Sequence, residues 1–349
     1  MKKPMSMLWL LSLVSLLNAD ALSTDLDGFD DESLNETSQE RPSRLIAGLT
    51  GKITQQVAFS WHNDAPYENI TSLKSSLLLD YEHKFDNGIR IKINAKAYYD
   101  AIYSLKDRGD FTSQTLNALE AEVELYDAYI EGKITDSLDY KLGRQVVVWG
   151  RSDTIRVTDI LNPLDNRRPA MTDIEDLRLP VTMVKLDYFV GNWRITPMAI
   201  VEQRFSKNPP FGGDFNPVSF PLPSEERYDD VTYALSIGAE FSGWDINFYA
   251  SHTYDDAGYI DQSALIPLMV HDKVTMFGTA LNVLSGSWLF KTELAYFDGL
   301  KYTSTGEQAF SRMDALLGVE YNGISDTLIS YDIVTRQIQD YTKKAFSRI

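Results

Sequence analysis

The sequence predicts an all-β protein, an antiparallel up-and-down transmembrane β-barrel. Three observations predict it. From residue 45 onward apolar and polar residues alternate with period two, a pattern that no helix satisfies. The links between the alternating runs are themselves sorted, short then long, as in barrels whose long loops all leave one side. The chain also opens on an export signal yet has no cysteine, which suits a large closed sheet that pairs its own backbone and needs no disulfide.

Residues 1–21 read as a signal peptide. Lys2 and Lys3 supply its positive end, residues 7–17 its short apolar run, and Ala19-Asp20-Ala21 its cleavage site. That run is too short to span a bilayer, and no later segment approaches ~18 consecutive apolar residues. Residues 22–44 are acidic, with Asp25, Asp27, Asp30, Asp31, Glu32, Glu36 and Glu40, and lack the spaced Gly and closing Glu of a calcium loop. They read as a flexible leader. Residues 45–349 form the barrel, interrupted by an inserted loop at 150–181.

Strands are expected at 45–61, 73–85 and 89–99, the last two joined by Asp86-Asn87-Gly88, the strongest short hairpin signal. Others follow at 121–133, 138–149, 182–189, 193–205, 231–241, 244–254, 273–284, 287–297, 315–321 and 327–336. Parity slips near Asp127 and at Arg144, where bulges are expected. The count is thirteen, whereas a single-chain bacterial barrel has an even number. The polar residues 337–349 end without the usual terminal aromatic. The expectation is a truncated chain whose complete barrel has about 14–16 strands.

Tyr98, Tyr99, Tyr103, Trp61, Trp149, Trp193, Trp244, Trp288, Tyr296 and Phe297 fall near strand ends, where interfacial girdles form. The polar parity then points inward. Arg90, Lys92 and Lys96, with Asp80, Glu82, Lys84, Glu202, Arg204, Asp245, Lys291, Glu293, Glu320 and Asp332, would line a wet lumen. Basic residues on the lipid face would cost ~2–4 kcal/mol at midplane, which is why parity assigns sides. A net charge of -17 argues against a nucleic-acid partner and leaves membrane lipid as the expected surroundings.

The inserted loop carries charges of both signs that must pair or stay wet. With Arg144 before it, it sets Arg151, Arg156, Arg167, Arg168 and Arg178 against Asp153, Asp159, Asp165, Asp173 and Asp176. Folded into the lumen, it would form a constriction that selects solutes by size and charge. The leading expectation is an outer-membrane channel or export conduit for small or hydrophobic solutes. An adhesin or structural barrel is the alternative, its loop 208–217 rich in Pro, Gly and Phe. A barrel lipase or protease is a weaker one. His62, His83, His252 and His271 are the only histidines, no nucleophile motif accompanies them, and no cofactor or metal is expected.

Gly143-Arg144-Gln145-x-Val147-x-Trp149-Gly150-x-Ser152, followed by Asn162-Pro163-Leu164-Asp165, resembles a family of large proteobacterial outer-membrane barrels long catalogued as a domain of unknown function. The similarity is specific over 128–165 and architectural elsewhere. Members commonly have an acidic residue where this chain has Arg151, and commonly run longer. The resemblance implies a location in the outer membrane of a bacterial cell. It also implies genes beside lipid or hydrophobe exporters of the resistance-nodulation-division type, and hence inner-membrane components of such exporters as partners.

Overall fold

The computed structural model describes residues 48–339, apart from 62–64, 153–154, 170, 172–176, 217–219, 222 and 264–265. The signal peptide, the leader, Asp153, Asp173, Asp176 and the final residues 340–349 lie outside the described residues.

Period-two alternation gives one sheet of thirteen antiparallel strands, each paired with its neighbours in chain order. They are β1 Leu49–Ser60, β2 Asn69–Lys84, β3 Arg90–Asp100, β4 Ala121–Thr135, β5 Leu138–Gln145, β6 Val181–Val190 and β7 Trp193–Ile200. After these come β8 Thr232–Phe241, β9 Trp244–Tyr254, β12 Lys273–Ser285, β13 Trp288–Leu300, β14 Phe310–Ile324 and β15 Thr327–Ile338. All thirteen expected strands are present, and the links sort as expected. Turns of a few residues close β2–β3, β4–β5, β6–β7, β8–β9, β12–β13 and β14–β15, and every long loop leaves the opposite rim. Among the described residues, β1 and β15 each pair on one side only.

Two long loops hold structure that alternation could not announce. The β9–β12 loop contains a separate hairpin, β10 Tyr259–Asp261 with β11 Leu268–Val270. The β3–β4 loop contains two short helices, α1 Ile102–Leu105 and α2 Ser113–Leu119. The second starts where the Thr112 hydroxyl accepts from the Thr115 amide, a side-chain cap.

The expected bulge near Asp127 is present, since the β3–β4 register shifts between Ile93 and Ala95. At Arg144 the register is regular with both neighbours. The irregularity there belongs to Gly143, whose φ is +125° and whose added Cβ would lie 2.3 Å from the Ala128 carbonyl oxygen.

The two faces of the sheet differ sharply. Leu316 is fully buried while its neighbour Leu317 is 64% exposed, and Met276 and Phe277 divide the same way. Exposed apolar side chains therefore share the outer face, which suits lipid. Trp193, Trp244 and Trp288 are exposed first residues of β7, β9 and β13, each directly after a tight turn, so they form a belt on the short-turn rim. Trp61, Tyr99 and Tyr296 are exposed as a girdle requires, but Tyr103, Trp149 and Phe297 are buried inside, and Tyr98 faces the interior beside Arg167. Strand-end position alone does not tell a lipid-facing ring from one packed against the insert.

Candidate functional site

The site is the insert itself, residues 146–180, which leaves and rejoins the sheet at the paired residues Gln145 and Val181. β5 was expected to run to Trp149, yet it stops at Gln145 because side-chain oxygens take over from the ladder. The Val147 amide donates to Asn162 Oδ1 at 2.8 Å and the Trp149 amide to Asp159 Oδ1 at 3.2 Å. Asn162 Nδ2 donates to the carbonyls of Leu179 at 2.9 Å and Gln145 at 3.3 Å, tying the exit of the insert to its return. Arg156 closes the same turn, its Nε on the Asp159 carbonyl and one terminal nitrogen on that of Asn162, both at 2.6 Å. Arg178 binds Asp159 Oδ2 at 2.8 Å. Arg156, Asp159 and Arg178 thus hold the insert's own shape.

Its first half docks on the inner face through an apolar core. Trp149, Val157 and Leu161 pack among Met183, Met198, Met276 and Leu316. The Trp149 ring stacks on Tyr249 with centroids 4.6 Å apart. A wet lumen was expected along this face. Where Trp149, Val157 and Leu161 dock, small and sulfur-containing side chains fill the inward positions and pack against them.

At the end of that core stands Glu293 on β13, 1% exposed. Its Oε1 accepts from the amides of Arg151 at 2.5 Å and Ser152 at 3.1 Å, and its Oε2 from the Thr158 amide at 3.1 Å and hydroxyl at 2.8 Å. Gly150 lets the chain come this close: with φ +87°, a Cβ there would sit 2.9 Å from Glu293 Oε2. Arg151 pairs with Asp245 on β9, and the Ser152 hydroxyl donates to Asp332 on β15 at 2.7 Å.

The second half docks on the first strands through ion pairs. Arg167 reaches Asp165 through Nε at 2.8 Å, Glu122 on β4 at 2.6 Å and the Ala118 carbonyl at 2.6 Å. Arg168 is buried against Asp100 at 3.1 Å and the Tyr103 hydroxyl at 2.9 Å, with Asp214 of the 208–216 loop at 3.7 Å. Burial pushes the Asp165 carboxyl up, but its bonds to Arg167 outweigh that and hold it below the usual range. Burial dominates at Asp214, which stays raised despite Arg168. Lys207 binds Glu122 at 2.6 Å and Glu124 at 2.8 Å.

The insert thus reaches from β1, where Gln56 donates to the Met171 carbonyl at 3.4 Å, to β15. It leaves a space on each side. One, about 540 Å³, lies between residues 145–151 and the inner faces of β5 to β9, with Lys141, Lys185, Arg194 and Arg151 in its wall. The other, about 350 Å³, lies between Asp165, Arg167, Arg168 and Met171 and the inner faces of β1 to β4, Lys96 included. Arg90 and Lys92 sit further down β3, paired with Glu131 at 2.5 Å and Asp80 at 3.3 Å. Arg144 binds Glu202 at 3.0 Å. Glu293 and Asp245 are among the residues whose parity points inward, whereas Glu122, Asp100 and Lys207 join the site only in the structure. Parity put Glu122 and Asp100 on the inner face, and that was the available signal.

Among the described residues no group of His, Asp and Glu is placed to hold a metal ion. His252 bonds Thr275 on neighbouring β12 at 3.0 Å, and His271 lies on the Phe205 ring, in contact with the Asp255 carbonyl at 2.6 Å.

An up-and-down antiparallel wall with an apolar outer face, a tryptophan rim and a charged insert across its interior defines a β-barrel of the outer-membrane type. The chain belongs to the family described as protein of unknown function DUF1302, whose model matches residues 39–346. No curated protein matches significantly. Among solved structures, a BenF-like porin from Pseudomonas fluorescens is similar at 12% identity, with 83% of this chain and 67% of that one covered and a TM-score of 0.45. The anion-selective porin from Comamonas acidovorans is similar at 7% identity, over 83% and 80% of the chains, with a TM-score of 0.43. OmpT, an outer membrane protein of Vibrio cholerae, is similar at 12% identity over 84% and 75%, with a TM-score of 0.39. These likenesses concern the fold alone.

Proposed function

We propose that the protein is an outer-membrane channel in which the insert forms a constriction, admitting small solutes through the spaces on its two sides. One observation carries this reading: the insert bridges the inner face from β1 to β15 and is held there by Glu293 and Asp332 at one end and Glu122 and Asp100 at the other. A loop serving only an external partner would have no reason to bury Trp149 and Val157 inside the wall. The finer form of the reading is an export conduit for hydrophobic solutes fed by inner-membrane exporter components of the resistance-nodulation-division type. Co-purification of such components from cross-linked cells tests that form.

Planar-bilayer recording tests the channel. Stepwise currents are expected, with larger steps when residues 146–180 are replaced by a two-residue turn. The dry packing around Trp149 favours a second reading, a sealed structural or adhesive barrel. A protein silent in both forms would support that one instead.

A further inference from the structure

We propose that the space between the insert and β1–β4 is a binding site for small amphipathic carboxylates. That such a carboxylate is the transported solute rests on the channel reading; that it binds does not.

Glu122 and Glu124 on the inner face of β4 are held by Arg167, Lys207 and Arg204, and Asp165 by Arg167. Asp100 and Asp214 are held by Arg168. Among the described residues, the acids around this space are thus taken up by arginines and a lysine of the insert and the β7–β8 loop. Lys52 of β1 and Lys74 of β2 line the same space and make no ion pair among the described residues. The Lys74 ammonium stands 5.3 Å over the Tyr98 ring. Lys52 and Lys74, with no acid of their own among the described residues, attract an anion, and a low-dielectric wall strengthens that attraction.

The remaining wall says what kind of anion. Leu78 lies in register between Lys52 and Lys96 across β1, β2 and β3. Leu119, Met171 and Leu179 add apolar surface opposite. A carboxylate head at the lysines with a short apolar body along these side chains satisfies both surfaces. At about 350 Å³ the space is at the lower end of small-molecule sites, which favours a body of a few carbons.

Isothermal titration of the full chain in uncharged detergent tests this with hexanoate, hexylammonium and hexanol, which share one apolar body. Hexanoate is expected to bind at least about tenfold tighter than the other two, the scale of one charge-assisted hydrogen bond. Lys52→Gln and Lys74→Gln are each expected to weaken it about tenfold. Equal binding of the three probes, or hexanoate binding unchanged in both variants, overturns the proposal. So does binding seen only after Asp173, Glu175 and Asp176 are made neutral, because the chain's own carboxylates would then be the occupants. Hexanoate binding with a silent bilayer sinks the channel reading and leaves this site. Stepwise currents without hexanoate binding do the reverse.

Discussion

Replacing Glu293 by glutamine tests the anchoring of the insert at its strongest point. The carboxylate accepts four bonds, two on each oxygen, from Arg151, Ser152 and Thr158. An amide keeps one acceptor and turns the other into a donor facing two donors. Two bonds to a charged group are lost, each contributing about 1.5–3 kcal/mol, so the tether weakens by about 3–6 kcal/mol. The Thr158 hydroxyl can turn and accept from the new amide, which places the effect toward the lower value. At 1.4 kcal/mol per decade, about 3 kcal/mol still shifts the ratio of docked to released insert by more than a hundredfold. Single-channel recording should then show larger or noisier steps, and limited proteolysis in detergent should cut within 146–180. Glu293→Ala, which removes all four bonds, should go further. Wild-type currents and an intact insert in both variants would refute this account of how the insert is held.

Trp149→Ala removes a ring buried against Tyr249 and should cost about 3–5 kcal/mol, read as a lower melting temperature in detergent. Arg168→Ala leaves Asp100 and Asp214 buried without their cation, a loss of about 3–5 kcal/mol. It should expose loops 101–120 and 208–216 to protease, whereas a residue that served only ion selection would move the reversal potential and leave proteolysis unchanged. Asp165, held below the ordinary 3.8, contributes stability that is fully present above that value and lost as pH falls through its folded pKa. The melting temperature should therefore be flat from about pH 5 to 8 on this account and drop on further acidification, and Asp165→Asn should flatten that acid limb.

The wall was legible because a strand buried on one side and greased on the other repeats every two residues, and because Asp86-Asn87-Gly88 and its counterparts announce each tight turn. The departures come from places where side chains replace backbone partners. Residues 146–149 read as strand because they are Val-Val-Val-Trp, yet Asn162 and Asp159 take their amides and bend them inward. No local pattern reports a partner ten or fifteen residues away. The charges of the insert were visible, and so was the expectation that they face the lumen. Hidden from periodicity was that Val157 and Leu161, unremarkable among polar neighbours, supply the docking surface, and that Trp149 belongs with them rather than with the rim. The β3–β4 helices are too short to show a helical period, and the β10–β11 hairpin too short to show an alternating one.

Gln145 and Val181 face each other across the β5–β6 ladder, so the insert begins and ends at one point of the wall. Among the described residues of the thirty-five between them, none belongs to a strand of the wall. The cylinder and its partition are therefore separable units of construction. Mutation can lengthen, shorten or recharge the partition without changing the order in which the strands pair, so the interior can vary while the container stays the same.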